Sequence, residues 1–258
     1  MADEHGCEVQ ASEMASDLPQ FELAEFVRRV LAEDLGSGGD VTSRATIEAS
    51  ARFVATMNCR EPIVVAGLDL AVDFFCTMDR DVRVGRRVAD GDAVAAGTVL
   101  LRIEGNARAM LAAERSALNT LQHLSGIATL TRRYVDAIAG TGAILLDTRK
   151  TIPGMRLLDK YAARMGGAEN HRMRMDDGLL IKDNHVAVCG GVEAAVRSAK
   201  AADSGLPIQV EVDRIDQIEP ALFCSIRARP SRGCARWANM RRGWGGRKTT
   251  DCGWTMDC

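Results

Sequence analysis

The chain has 258 residues, 47% hydrophobic and 26% charged, with a formal net charge of −2. That length buries a substantial core in one large or two modest domains, and that balance marks a soluble globular protein. No run approaches the roughly 20 apolar residues of a membrane span. Residues 223–258 hold eight Lys/Arg against two Asp/Glu, which leaves the rest of the chain at −8, and an acidic body argues against general nucleic-acid binding.

The first twenty residues, MADEHGCEVQASEMASDLPQ, are acidic and lack an apolar core, so they read as neither a signal peptide nor a basic transit peptide. They are expected to be a flexible extension of a cytoplasmic protein. Cys7, Cys59, Cys76 and Cys189 are scattered without metal-like spacing and read as reduced thiols. From residue 21 to 35, Phe21, Leu23, Phe26, Val27, Val30 and Leu31 recur at helical spacing, closed by Gly36-Ser37-Gly38-Gly39. Asp40-Val41-Thr42-Ser43 follows as a turn or cap. Residues 51–104 are β-rich, with strands predicted over 51–57, 63–66, 82–84 and 99–103, turns at Asp90-Gly91-Asp92 and Ala96-Gly97, and a helix over 68–78. The longest helical pattern runs from 107 to 138, with Asn106 as N-cap and an interruption expected near Gly126. Arg115, Asn119 and His123 recur every four residues there and share a face, which is either a solvated polar face or a binding face. His123 reads as structural.

Residues 144–186 organise the chain. Two short apolar runs, 143–146 and 179–181, each suit a buried strand and each end in charge: Asp147-Thr148-Arg149-Lys150 and Lys182-Asp183-Asn184-His185. A helical segment and the polar turn Glu169-Asn170-His171-Arg172 lie between them. Strand, helix, strand is the unit of a parallel sheet, and in a closed barrel the C-terminal strand ends carry the site. Arg149, Lys150 and Lys182 would crowd one mouth, with His171 and Arg172 arriving from the connection. Cations concentrated in this way call for a strongly anionic ligand, since each otherwise suffers desolvation and mutual repulsion. The alternative is a solvated charged face. A further helix is predicted over 191–202 and a strand over 208–213, which ends in the carboxylates Glu211 and Asp213.

Together DTRKT-x-PG, GG-x-x-NHR and LIKDNH, in this order and at these intervals, resemble the quinolinate phosphoribosyltransferase family (nicotinate-nucleotide pyrophosphorylase, carboxylating), with the likeness running from about Phe21 to about Leu222. The resemblance implies an α/β fold: an N-terminal α/β sandwich over 21–110, then an incomplete parallel β/α barrel over 111–222. It implies Mg²⁺-dependent transfer of a phosphoribosyl group from phosphoribosyl pyrophosphate to quinolinate with loss of CO₂, in a homodimer or higher homo-oligomer. By the same resemblance, Arg115 of the ER-x-x-x-N motif contacts the substrate carboxylate from a partner subunit. Arg149, His171, Arg172 and Lys182 bind quinolinate as well. Lys150 and Glu211 both bind substrate and act in catalysis, and Glu211 is the one carboxylate expected near the metal, indirectly.

Beyond Leu222 the resemblance stops. Residues 223–258 hold every Trp and half the Cys of the chain without strand or helix periodicity. They read as a non-family, disordered tail, of the kind a shifted frame in GC-rich coding DNA or a divergent terminus would give. The expectation is weak or absent turnover by this chain. An inert quinolinate-binding, dimerising fragment and a related phosphoribosyltransferase acting on nicotinate stay open as alternatives.

Overall fold

A computed structural model describes residues 5–6 and 23–223, in two compact units that meet in sequence between Met175 and Asp176. The fold is α/β. The first unit opens with the helix Leu23–Leu35, which buries Val27 and Leu31. The short helix Val41–Thr46 follows, and the Asp40 carboxylate caps it by accepting the Ser43 N–H at 2.9 Å. Four strands, β1 (His5–Gly6), β2 (Arg52–Asn58), β4 (Arg83–Arg86) and β6 (Val99–Asn106), form an antiparallel sheet in the order β1-β4-β6-β2. Along β6, Leu101 and Ile103 are buried while Arg102 and Glu104 face outward, so one face of the sheet supplies core. β3 (Ile63–Val64) and β5 (Ala93–Val94) make a separate antiparallel pair.

The helix Leu68–Met78 covers this sheet and buries Leu68, Leu70, Ala71, Val72, Phe74 and Phe75. It starts at Gly67, whose φ of 91° suits glycine and whose Cα lies so close to Leu124 that a Cβ would sit 2.6 Å from its side chain. The Asp90 carboxylate caps the helix, accepting the N–H groups of Gly67 and Leu68 at 2.8 and 3.0 Å and the Tyr161 hydroxyl at 2.7 Å. Burial raises the Asp90 pKa above the usual carboxylate range, and these three donors oppose the rise.

The backbone of the unit is the helix Ala107–Ala137, 31 residues long and thus about 46 Å, capped by Asn106 accepting the Ala109 N–H at 3.2 Å. The interruption expected near Gly126 is absent. Gly126 is exposed with open space around it, so nothing there forces the helix apart. The buried stripe runs from Ala113 through Ala117, Leu121 and Leu124 to Ala128 and joins one core with Leu158, Tyr161 and Ala162 of the helix Arg156–Met165. The first unit extends to Met175, and the long helix packs within it against both the helix Leu68–Met78 and the helix Arg156–Met165.

The strand expected over 143–146 is reduced to a single parallel bridge, Leu146 to Glu169, supported by Glu169 N–H to Leu145 C=O at 2.9 Å and Asp147 N–H to Glu169 C=O at 3.1 Å. No ladder propagates from this bridge, and residues 170–172 have no regular secondary structure. The residues of the expected tail, 224–258, lie outside the described residues.

In the second unit β7 (Leu179–Ile181) and β8 (Ile208–Val210) pair in parallel, Leu179 with Ile208 and Ile181 with Val210. The helices Asp183–Cys189 and Val192–Ala201 lie between them in sequence. Ile181, Val192, Ala195 and Val196 are buried together, with Ile208 and Val210 packed against them. This is the parallel unit from which β/α barrels are built.

Candidate active site

The DTRK segment and the NHR turn come together in the first unit, and a buried ion pair joins them. Lys160, on the helix Arg156–Met165, is 1% exposed and pairs with the Asp147 carboxylate, whose side chain is 7% exposed. The Lys160 ammonium also donates to the His171 C=O at 3.2 Å, and Asp147 Oδ1 accepts the His171 N–H at 2.8 Å. One lysine and one aspartate therefore hold both backbone polar groups of His171. A charge this deeply buried persists only when paired and hydrogen-bonded, as both are here.

Around this lock the polar groups are under-satisfied. Asp147 Oδ2, Arg149 Nε, Thr151 Oγ1 and Arg156 Nε are buried without a hydrogen-bond partner among the described residues. Native proteins satisfy nearly all such atoms, and four within ten residues mark a place that a polar ligand or water completes. Lys150 is exposed, and its side chain makes no hydrogen bond or ion pair to a described residue; its backbone N–H donates to Thr148 Oγ1 at 3.1 Å. His171 and Arg172 are half-buried.

The second unit carries the other two candidates. Lys182 follows β7, and its backbone N–H donates to His185 Nδ1 at 3.1 Å, which starts the helix Asp183–Cys189. Its ammonium lies 3.5 Å from the Glu211 carboxylate just beyond β8, with side chains 41% and 60% exposed. The parallel register puts both residues at the same end of the pair. An exposed ion pair is worth only about 0–1 kcal/mol, so either partner can turn to a ligand at little cost.

Arg115 stands exposed on the long helix with no hydrogen bond or ion pair to any described residue, and Asn119 is exposed one turn on. His123, which shares their spacing, is turned inward instead: its Nε2 lies 2.8 Å from Asp159 Oδ1. The structural reading of His123 matches this placement.

Sequence reasoning missed Lys160 and the role of Asp147. The burial of Lys160 shows only in the packed helix. Lys160 sits among Leu158, Tyr161 and Ala162 of an amphipathic helix, and a lysine on a buried stripe demands a carboxylate partner.

Two family models match the chain: Quinolinate phosphoribosyl transferase, N-terminal domain, over residues 40–125, and Quinolinate phosphoribosyl transferase, C-terminal domain, over residues 127–227. The chain is 46% identical over 212 residues to the nicotinate-nucleotide pyrophosphorylase (carboxylating) of Mycobacterium leprae, covering 81% of this chain and 74% of that protein. It is 42% identical over 201 residues to the quinolinate phosphoribosyltransferase (decarboxylating) 2b of Nicotiana tabacum, spanning 76% of this chain but only 56% of the tobacco protein. Among solved structures, the nicotinate-nucleotide pyrophosphorylase from Francisella tularensis superposes with a TM-score of 0.73 at 38% identity, covering 78% of this chain and 71% of that one. The Ehrlichia chaffeensis protein of the same name gives 0.75 at 36% identity, covering 79% and 74%.

Proposed function

The chain belongs to the quinolinate phosphoribosyltransferase family, and from that membership we propose that it transfers a phosphoribosyl group from phosphoribosyl pyrophosphate to quinolinate in the biosynthesis of NAD. The products are nicotinate mononucleotide, pyrophosphate and CO₂. The observation that carries the reading is the lock of Lys160 and Asp147 on His171, which secures a basic turn beside the Arg149-Lys150 segment.

Quinolinate is a dianion. Arg115, Arg149, His171, Arg172 and Lys182 take its two carboxylates, the arginines through paired hydrogen bonds that a planar guanidinium offers and an ammonium does not. Two carboxylates to neutralise favour quinolinate over nicotinate, which has one. The pyridine nitrogen then attacks the anomeric carbon, the bond to pyrophosphate breaks, and positive charge grows on the ribose. Glu211 stabilises that charge, and Lys150 meets the negative charge on the phosphates. In the second step the pyridinium accepts the electron pair of the ring carbon–carboxylate bond, CO₂ departs, and a proton takes its place on the ring.

Magnesium belongs to this reading as part of the co-substrate. Among the described residues no group of three or more His, Cys, Asp or Glu is placed to hold a metal ion. Glu211 is the carboxylate that would help to hold a magnesium ion brought in by the co-substrate. When bound, such an ion would supply neutralisation of the pyrophosphate charge. Arg115, exposed and without a partner among the described residues, suits a role across a homodimer. A cytoplasmic location completes the reading.

The test is calorimetric titration with quinolinate and nicotinate, followed by assay of nicotinate mononucleotide and CO₂ with phosphoribosyl pyrophosphate and Mg²⁺. Quinolinate binding at least tenfold tighter than nicotinate, with matched formation of both products, supports the reading. Equal or tighter nicotinate binding overturns it. The expectation of weak turnover by residues 1–258 is read in the same assay, as quinolinate binding with little product.

A further inference from the structure

We infer that Lys160 is a positioning residue for quinolinate recognition: from within the core, and without touching substrate, it sets the orientation of His171 and Arg172. The inference rests on the proposed function and goes past it, because Lys160 is fully buried and lies on a different element from every residue given a role there.

The argument starts from what a buried lysine needs. At 1% exposure the Lys160 ammonium has lost its water, and its three donors must find acceptors within the protein. It finds two, the Asp147 carboxylate and the His171 carbonyl. Asp147 in turn uses Oδ1 for both Lys160 and the His171 N–H. The three groups close a ring in which His171 is held at its carbonyl and at its amide. A residue gripped on both sides of its own backbone has its side-chain direction set, and the next residue, Arg172, follows from the same peptide plane.

The ring is also attached to a stiff support. Leu158, Tyr161 and Ala162 around Lys160 are 0–3% exposed and belong to the main core with Leu121, Leu124 and Ala128 of the long helix. The neighbouring Asp159 is tied to His123 of that helix at 2.8 Å. The turn itself, from Glu169 to Arg172, has one backbone bridge to the 145–147 segment and no regular secondary structure. Lys160 ties this turn directly to the helix Arg156–Met165. Preorganised orientation of this kind is what outer-layer groups supply to binding sites, and its loss typically costs tenfold to a hundredfold in affinity or activity.

A purely structural role for the pair predicts something different. Replacing a buried ion pair by neutral groups of similar shape is often close to neutral for stability, so a double variant separates the two roles. Lys160→Met with Asp147→Asn keeps the volume, removes both charges, and leaves the Asn oxygen to accept the His171 N–H. It takes away the donor to the His171 carbonyl. We expect the double variant to unfold cooperatively with a midpoint near the parent's, to bind quinolinate about tenfold to a hundredfold more weakly, and to keep its KM for phosphoribosyl pyrophosphate within about twofold. Parental quinolinate affinity in the folded double variant overturns the inference while leaving the proposed function intact.

Should the double variant not fold, the parent protein decides. Backbone amide exchange followed by NMR reads the His171 N–H in the absence of ligand. Protection well above that of an open turn is expected, and exchange at the rate of an unprotected amide overturns the inference. Failure of the parent to bind quinolinate at all removes both this inference and the functional reading beneath it.

Discussion

Gly166→Ala separates steric from conformational demands at the turn that leads into the NHR motif. Gly166 has φ −72° and ψ −11°, values any residue adopts, so alanine meets no backbone penalty. Space is the obstacle. A Cβ there would lie 2.5 Å from the carbonyl oxygen of Ala128, 2.5 Å from Thr131 Cβ and 2.8 Å from Thr131 Cγ2, all on the long helix. A helix carbonyl cannot rotate away. Restoring ordinary contact near 3.5 Å would part the two segments by about 1 Å, opening a gap beside Leu158 and Ala162, both fully buried. Overpacking of this type costs about 1–3 kcal/mol, and a backbone atom on one side puts it at the top of that range. About 3 kcal/mol is roughly a 150-fold loss in the folding constant and a fall of about 6–12 °C in Tm for a chain of this size.

Gly167→Ala is the control. Its φ is +98°, but its nearest contacts are 3.6 Å away on Val135, so its cost is conformational, about 1–2 kcal/mol. Urea unfolding followed by circular dichroism should rank Gly166→Ala as the worse of the two. Quinolinate titration should show weakened binding in Gly166→Ala, because the NHR turn begins three residues later. A Gly166→Ala protein within 0.5 kcal/mol of the parent, or one more stable than Gly167→Ala, would refute the reasoning.

Three further outcomes are expected. Lys150→Ala should cut nicotinate mononucleotide formation by about a hundredfold or more while leaving quinolinate affinity within about threefold, since its charge is aimed at the phosphates; mixing it with Arg115→Ala should restore part of the activity after subunit exchange if each site takes residues from two subunits, and no recovery in verified heterodimers would count against sharing. Asp73→Asn should stabilise the protein by about 1–2 kcal/mol at pH 7.5. Burial pushes the Asp73 carboxyl up to about 6, Asp69 adds to the rise and Arg86 opposes it, so the folded state keeps this proton between pH 3.8 and about 6 after the unfolded chain has released it, and the parent loses stability as pH rises through that window; urea midpoints at pH 4.5 and 7.5 should show the gain of the variant mainly at the higher pH. His123→Ala should cost about 1–2 kcal/mol, because Asp159 would be left buried without its partner, with kcat unchanged; a fall in kcat above tenfold with stability intact would give His123 a role in the chemistry.

What could be read in the sequence is what local chemistry decides. The helix Leu68–Met78 lies where apolar spacing places it, and the helix Ala107–Ala137 ends within one residue of its periodic pattern, its N-cap Asn106 recognisable from residue type alone. The alternation of β6 and the capping role of Asp40 follow from the same short-range rules. The family was legible too, because DTRKT-x-PG, GG-x-x-NHR and LIKDNH are continuous strings whose spacing survives without coordinates. What only the tertiary structure decided concerns partners distant in sequence. Residues 143–146 have a strand's composition but pair only at Leu146, with Glu169, because a strand is a property of two segments and not of one. Lys160 looks like a surface lysine in LLDKYAARM until the helix is packed, when its 1% exposure makes Asp147, thirteen residues back, its necessary partner. The motif residues were visible because they are written consecutively; the group that aims them was hidden because burial, which decides whether a lysine is solvated or structural, is created only when the chain folds.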